Sequence, residues 1–525
     1  DIVIPETSPN GDTVIGIGEG AFGDCTGLTS VTIPDSVTSI GEGAFWNCTN
    51  LSNIVFSENS QCANIGVAAF SYCENLTSVN IPNSVTSIGD GAFIGCTSLT
   101  SVIIPDGITS IGEGAFEGCD NLVYSEYDNA YYLGNENNPF VALVKAKDTS
   151  ITECEINSAT KIICDYAFSW CNDLAVVNIP NGVTHIGRAA FNCTALTSIE
   201  IPESVTSIGD WAFNITRFTT VTIHEGVTYI GERAFTNCHF LSNITVSENN
   251  ANYKSVDGNL YSKDGKRLMQ YAIGKTDTEF AIPEGVTSID EYAFANAGIK
   301  EVTIPESVAS IGLGAFNSCY DLTSVTIPAG VTSIGEGAFN SCLSLTSINV
   351  DENNANYISI DGNLYSKDRK ILIQYAVGKT DTEFAIPEGV TSIGVSAFSD
   401  CLNLTSVIIP YSVTSIDIYA FRYCRNLITV FIPDSVTTIG WEAFGGCSNL
   451  TIYCEAESQP EGWYSDWNPD NCPVIWGADK SDINSLYYVS NGDGTCYVAG
   501  IGNCTDTDIV IPETSPNGDT VIGIG

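Results

Sequence analysis

From Leu28 to Asn50 the chain reads LTSVTIPDSVTSIGEGAFWNCTN, with apolar residues at Leu28, Val31, Ile33, Val37, Ile40, Ala44, Phe45 and Cys48 and polar residues between them. The same set returns about every 23 residues, which marks an array of repeats rather than a succession of unlike elements. Its signature is an Ala-Phe pair, with phenylalanines at 22, 45, 70, 93, 116, 168, 191, 213, 235, 294, 316, 339, 398, 421 and 444. LTSVTIP alternates apolar and polar residues through Val31 and Ile33, the period of a half-buried strand. Pro34 ends that strand, because proline has no N–H to give to a ladder. VTSIG predicts a second short extended piece, and the glycines of GEG a lead into one turn of helix carrying Ala44 and Phe45 inward.

One copy buries too little apolar surface to offset the entropy of ordering its own residues, so copies must stack as a single body and cover one another's edges. The expected fold is a β-rich α/β solenoid of short strands and single-turn helices, with function on a surface rather than in a pocket. Three long intervals hold insertions near residues 122–161, 246–283 and 350–387. The last two are near-copies, NANYKSVDGNLYSKDGKRLMQYAIGKTDTEFAIP and NANYISIDGNLYSKDRKILIQYAVGKTDTEFAIP, and each reads as a β-hairpin. Lys263-Asp264-Gly265-Lys266 supplies the turn of the first, since Asp-Gly accepts positive φ. Arg369 stands in place of that glycine in the second, which predicts another turn type.

The array is expected to span residues 1–455. Residues 456–477 gather Trp463, Trp467 and Trp476 near prolines, as a cap over the open end or as a platform for sugar rings. Residues 478–525 read as a linker and the start of a second array, because residues 1–18 recur unchanged at 508–525. That recurrence fits either a slice of a longer tandem array or ends that overlap artificially. The only methionine is Met269 and residue 1 is Asp, so a translational start further upstream is expected.

Thirteen cysteines follow the Ala-Phe mark by two or three residues: Cys25, Cys48, Cys73, Cys96, Cys119, Cys171, Cys193, Cys238, Cys319, Cys342, Cys401, Cys424 and Cys447. One thiol per coil predicts a buried ladder along the core. Its members would lie ~5 Å apart at the strand spacing, near enough for bridges but not aimed for them. Cys454 with Cys472, and Cys496 with Cys504, are the disulfide candidates.

The spacing Leu28, Val31, Ile33 matches the strand of leucine-rich repeats, and the whole unit, IP, VTSIG, then AF followed by Cys, resembles the BspA-type leucine-rich repeat surface protein family. The unit departs from the general leucine-rich pattern at Ser36, Ser84, Gly107, Gly182 and Ser204, where an asparagine ladder would stand. The resemblance covers residues 1 to about 455. It implies a leucine-rich repeat array, an extracellular or cell-surface location, and adhesion to host matrix proteins or other cells.

Charge narrows the partners further. The 62 acidic residues against 19 basic ones, net charge -43, argue against nucleic acid and anionic membranes. No apolar run reaches the length of a transmembrane helix. Acidic residues recur after the proline (Asp35, Asp106, Glu203, Glu284, Glu306, Glu388, Asp434) and after Ile-Gly (Glu19, Glu42, Asp90, Glu113, Asp210, Glu232, Glu336). Stacked ~5 Å apart they would repel by roughly 0.8 kcal/mol per pair in water, a cost that Ca²⁺ or salt would relieve unless the edges are simply solvated.

Catalysis finds no support. His185, His224 and His239 lie in different coils without a Cys or Ser partner, GEGAF recurs as scaffold, and CxxC pairs are missing, so no catalytic, cofactor or metal residue is assigned. The outward strand column, including Thr32, Val55, Asn80, Ile103, Thr222, Thr326, Asn349 and Ile408, is small and polar in the middle and more apolar toward both ends, and Phe431 is its one exception to the lack of a hot spot. The insertions concentrate basic and aromatic residues instead, making Tyr261, Lys263, Lys266, Arg267, Tyr365, Lys367, Arg369 and Lys370 the candidate partner contacts. Tyrosines packing the hairpin root and lysines guarding strand edges are the plainer alternative. The sequence thus describes a non-enzymatic, cell-surface or secreted repeat protein that binds protein or glycan ligands, host matrix among them. A structural spacer displaying another domain is the rival.

Overall fold

The computed structural model describes residues 1–478 throughout, and beyond them the strand backbones Tyr487–Ser490, Thr495–Gly500 and Thr520–Ile524. The expected linker and second array, and the pair Cys496 with Cys504, lie outside the described residues apart from those strand backbones. The chain forms two compact units, Asp1–Lys275 and Thr276–Gly525. Each is a stack of coils, and all eight apolar positions of the founding repeat, Leu28 to Cys48, are buried.

Two parallel sheets run along each stack. In the first, Ser30–Ile33 pairs in register with Asn53–Phe56, Val31 opposite Ile54 and Ile33 opposite Phe56. The second is built from pairs of residues: Gly16–Ile17, Ser39–Ile40, Asn64–Ile65, Ser87–Ile88 and Ser110–Ile111 lie side by side. The second unit repeats the plan, with Glu301–Thr303, Ser324–Ile327 and Ser347–Val350 in one sheet and Ser310–Ile311 beside Ser333–Ile334 in the other. Register follows from the repeat itself, since a slip by one residue would turn Val31 and Ile33 to solvent.

The expected single-turn helix is not there: no helix occurs among the described residues, and the fold is a β-solenoid. The reason lies in the N–H groups of the Ala-Phe segment. Gly43, Phe45 and Asn47 donate across to Val67, Ala69 and Ser71 of the next coil at 2.8 Å each, whereas Ala44, Trp46 and Cys48 donate three residues back within their own coil. A helix would use every N–H on a carbonyl four residues earlier. Alternate donation needs positive φ two residues before and two after each phenylalanine, and all fifteen coils have it, as at Gly43 (φ 54) and Asn47 (φ 56) or Trp211 (φ 52) and Ile215 (φ 56).

Inside this turn the phenylalanine rings stack. In the first unit Phe22, Phe45, Phe70, Phe93 and Phe116 follow one another at 5.0 to 5.6 Å with near-parallel planes, and Phe168, Phe191, Phe213 and Phe235 form a second run. In the second unit the runs are Phe294, Phe316, Phe339 and Phe398, Phe421, Phe444. Beside the phenylalanines lie the thiols, most of them donating to the phenylalanine carbonyl of the preceding coil: Cys48 to Phe22 at 3.1 Å, Cys96 to Phe70 at 3.2 Å, Cys342 to Phe316 at 3.1 Å, Cys447 to Phe421 at 3.0 Å.

Four of the thirteen depart from the ladder: Cys171 and Cys401, each in the first coil after an insertion, are buried without that bond. Cys25 is exposed, having no described coil before it. Cys193 falls one residue early, on the positive-φ position (φ 55), and Thr194 fills the ladder place with its hydroxyl on Phe191 O at 2.9 Å. The Cys454–Cys472 disulfide is not formed: both are free and buried, and Cys472 donates to Cys447 O at 3.2 Å, which extends the ladder. An asparagine ladder does exist, two residues after the cysteine. Asn50, Asn121, Asn403 and Asn449 each reach a carbonyl of the coil before.

The insertions are three-stranded antiparallel meanders rather than hairpins: Ser125–Tyr127, Ala130–Leu133, Ala142–Ala146; Tyr253–Val256, Asn259–Ser262, Arg267–Gln270; and Tyr357–Ile360, Asn363–Ser366, Ile371–Gln374. Arg369 does not change its turn. It adopts φ 60 where Gly265 has φ 74, and both N–H groups donate to a serine carbonyl at 2.8 Å. The following aspartate pattern explains this, since Asp264 and Asp368 accept from the same serine hydroxyl and lysine N–H in each copy. Buried Asn354 fastens the root, donating to Pro328 O and Val331 O and accepting from Asn356 and Tyr357 N–H. At the far end Trp467 lies edge-on over Phe444 at 5.8 Å, and Trp463 donates to Val436 O at 3.0 Å.

Ile215 holds a β-branched side chain at positive φ, so Ile215→Gly is expected to raise stability by about 1–2 kcal/mol in urea unfolding. Gly209→Ala is expected to lower it by about 1–3 kcal/mol, because a Cβ there would sit 2.6 Å from Arg188 N and 2.7 Å from Gly187 C. Burial pushes the Cys342 thiol up to about 12. Iodoacetamide on the native protein should therefore label Cys25 alone among the cysteines of residues 1–478, read by peptide mass; native labelling of Cys342 at a similar rate would reject the buried ladder.

Candidate binding surface

Because Ala and Phe of each turn point inward, the residues two before and two after the phenylalanine lie on the outer side of the turn in most coils, though Ala189, Cys193 and Ser396 there are buried. This turn face carries the exposed aromatics Tyr72 and Trp170 in the first unit and Tyr423 in the second, with Trp441 beside it. Several rings lie flat on a glycine of the next coil. A Cβ on Gly95 would meet Tyr72 at 2.6 Å, one on Gly314 would meet Tyr292 at 2.7 Å, and one on Gly446 would meet Tyr423 at 2.2 Å. Arginines rest on the rings: Arg188 on Tyr166 at 5.3 Å, Arg233 on Trp211 at 5.6 Å, and Arg422 between Tyr419 at 4.5 Å and Tyr423 at 4.7 Å. Tyr, Trp and Arg are the residue types that dominate binding energy at interfaces.

An insertion changes this face. The last meander strand Ala142–Ala146 takes a place in the second sheet beside Ile162–Ile163, while Asp165 N still reaches Ile111 O of the coil before the insertion. Coils on either side of residues 122–161 are thereby brought together at their turns. Arg188 closes this junction, with Nη2 3.0 Å from Asp90 and 3.5 Å from Glu113. Asp165 lies beneath it, accepting Arg188 N–H at 2.7 Å; burial raises its pKa to about 6, against the lowering by that hydrogen bond and the guanidinium.

In the second unit Ile371–Gln374 joins the sheet beside Ser392–Ile393 in the same way. The Ser341 hydroxyl crosses here, donating to Asp400 at 2.6 Å. Arg422 turns to Glu442 at 3.1 Å, and a cleft of about 380 Å³ stays open between the turns, lined by Tyr292, Asn317, Asn340, Asp400, Tyr419 and Tyr423 among others.

A family model for the BspA type leucine rich repeat region matches residues 6–123, 146–262, 272–371 and 376–458, in six copies. The chain belongs to the BspA-type leucine-rich repeat family. Among solved structures this BspA-type chain is similar to a leucine-rich repeat protein from Eubacterium ventriosum, at 24% identity over 82% of this chain and 90% of that one with a TM-score of 0.39. It is also similar to a leucine rich cell surface protein from Faecalibacterium prausnitzii (27%, 91% and 90%, TM-score 0.30) and to a leucine-rich repeat protein from Bacteroides ovatus (24%, 90% and 91%, TM-score 0.26). No curated protein matches the chain.

Within the BspA-type array the sequence-predicted contacts divide. Tyr261 and Tyr365 are buried at 1% and 0% exposure, so their rings pack the meander roots and cannot meet a partner. Lys263, Lys266, Arg267, Lys367, Arg369 and Lys370 are exposed at the meander tips; Lys263 and Lys367 also donate to the carbonyls of Glu248 and Glu352. Phe431 is buried with Tyr453 and Ala478, and Trp463 and Trp467 are buried at 4%, which removes them from any sugar platform. The acidic column after Ile-Gly is not left to repulsion: Asp90 and Asp210 each accept the backbone N–H of the next coil at 2.9 Å. Among the described residues no three His, Cys, Asp or Glu side chains gather as a metal ion would need, and no helix is long and apolar enough to cross a membrane. The turn-face aromatics escape a reading that tracks only the repeat, because they are what varies around it. The residue before Ala-Phe is Gly in some coils and Tyr or Trp at 166, 211, 292 and 419.

Asp165 carries a folded pKa of about 6 against 3.8 in the free side chain. The folded state therefore holds the proton more tightly, and the stability this confers is full below pH 3.8 and lost as pH rises through about 6. Comparing urea unfolding at pH 4 and pH 7, Asp165→Asn should lose less stability over that interval than the parent, by about 2 kcal/mol.

Proposed function

We propose that this chain is a non-enzymatic binding protein, secreted or held at a cell surface, that engages protein or glycan ligands and so adheres to host matrix or to other cells. The observation that carries this reading is the exposure of Tyr72, Trp170, Tyr423 and Trp441, with half-buried arginines packed on neighbouring rings, on a backbone ladder with little freedom left to lose. Rigid aromatics contribute to binding at low entropic cost. The basic meander tips, set on an acidic body, supply a second kind of contact suited to acidic partners. Placement outside the cell rests on membership of the BspA-type family.

The test uses the whole chain on immobilised fibronectin, mucin and a glycan array. Replacing Lys263, Lys266, Arg267, Lys367, Arg369 and Lys370 together by Ser is expected to weaken protein capture by about tenfold or more, with a smaller salt dependence. Unchanged capture takes the tips out of the contact surface. A parent chain that binds nothing on any of the three surfaces replaces the adhesive reading with a structural spacer.

A further inference from the structure

Where coil follows coil directly, the turn N–H groups find carbonyls: Gly314 donates to Glu336 at 3.1 Å, Phe316 to Ala338 at 2.8 Å and Ser318 to Asn340 at 2.9 Å. The next turn, just before the meander of residues 350–387, has lost that neighbour. The N–H groups of Gly337, Phe339 and Ser341 have no acceptor among the described residues. Across the cleft of about 380 Å³ stands the turn of Phe398, where Ala397 O takes the Tyr375 N–H but Val395 O and Ser399 O receive no donor among the described residues. Gly337 and Ser341 line one wall of this slot, Val395 and Ser399 the other.

Main-chain groups turned away from water are almost always paired, and the far end of the stack shows what can pair these. There the turn of Phe444 is followed by residues 456–477 rather than by a coil. Asp466 O and Trp467 O accept the Glu442 and Phe444 N–H groups at 2.8 and 3.0 Å, and the Asp470 carboxylate accepts that of Gly446. One irregular segment thus completes the ladder without forming a coil. At the first insertion the same rows are left at Gly114, Phe116 and Gly118 and at Asp165 O and Ser169 O, but Arg188 spans that junction to Asp90 and Glu113. Three residues before its phenylalanine, as Arg188 is, the second junction has Ile418, exposed at 42%. Isoleucine cannot pair with Glu336, the counterpart of Glu113.

Donors on one wall and acceptors on the other dictate the guest. A β-strand turns both kinds of group to each neighbour, whereas a segment in the conformation of the turns themselves sends carbonyls one way and alternate N–H groups the other. That conformation takes positive φ at two residues four apart, as at Gly337 and Ser341, which glycine accepts without strain. The slot also carries Glu336 and Asp400, with Arg422 already paired to Glu442, so basic flanks suit it.

We propose that this slot binds a basic, glycine-containing segment of a partner polypeptide, whose main chain takes the place of the missing turn. The proposal rests on the protein half of the binding reading above and names its site. The Ser341 hydroxyl, bonded to Asp400, crosses the slot and is displaced by the guest. The experiment is fluorescence anisotropy of the whole chain with four labelled, end-blocked peptides: KGAAKGK, EGAAEGE, KVAAKVK, and KGAAKGK with D-alanine for both glycines. KGAAKGK should bind, the D-alanine form more tightly because its positive φ is set in advance, and the acidic and valine peptides at least about tenfold more weakly. Ser341→Ala should tighten the binding, and Ile418→Arg, which supplies the guanidinium that closes the first junction, should weaken it by about tenfold or more. Hydrogen exchange of the unaltered protein gives a readout that no variant can spoil by misfolding: KGAAKGK should slow exchange at residues 337–341 and leave 114–118 as they were. Silence from every peptide, equal binding of the valine peptide, or exchange at 337–341 that slows only with protein concentration, the mark of a second copy in the slot, overturns the proposal. If capture by the meander tips persists in that case, the slot alone is lost; peptide binding by a chain that captures no matrix protein keeps the slot and sinks the wider role.

Discussion

Where one coil directly follows another, it receives alternate backbone N–H groups of the preceding Ala-Phe turn, and the rest of the architecture depends on that exchange. It is a third ladder beside the two sheets, and it closes the side of the coil where neither sheet runs. Without it, three donors per coil would lie against the core unpaired, at a cost of about 1–3 kcal/mol each. Positive φ on both sides of every phenylalanine is what the exchange demands, and residues as unsuited as Ile215 and Trp211 accept that conformation rather than break the ladder. The ring stack and the thiol column then fall into place, since Phe45 is aimed by Phe45 N–H and the Cys48 thiol answers the carbonyl of Phe22.

The same exchange explains how insertions are tolerated. A meander can enter because its last strand supplies what a coil would have supplied. Leu143 accepts Cys164 N–H, and Leu372 accepts Gly394 N–H. Tyrosine completes the substitution, for the Tyr357 hydroxyl accepts Ile334 N–H at 2.9 Å and the Tyr375 ring takes a place in the stack, 5.3 Å from Phe398. The junction made this way draws the turn faces on either side together. Whether it closes or stays open then depends on single side chains, Arg188 in one case and Ser341 with Asp400 in the other.

Electrostatics is subordinate to the ladder but shapes the surface. Aspartates after Ile-Gly bond to the next coil's backbone, so part of the acidic column is structural. Asp165 shows the limit of this arrangement, because burial beneath Arg188 makes its charge costly even with a hydrogen bond to Arg188 N–H. The exposed aromatics sit at the same edge of the coil, where the turn leaves room for any side chain that can bear positive φ.

The spacing of Leu28, Val31, Ile33, Val37, Ile40, Phe45 and Cys48 was enough to foresee stacked coils, in-register strands, a terminating proline and a buried thiol column, because each is dictated by which side of the chain is apolar. It was not enough to tell a helical turn from this one, since Ala-Phe points inward in both and the choice belongs to N–H groups whose acceptors lie a whole repeat away. Arg369 could be seen to replace a glycine, yet only the serine and aspartate around it show that the turn survives. Tyr261 and Tyr365 had the composition of contacts and the packing of a core. The aromatic turn face and the open junction belong to the tertiary structure alone: they arise where coils distant in sequence are brought side by side, and that proximity is a property of the stack, which no single repeat encodes.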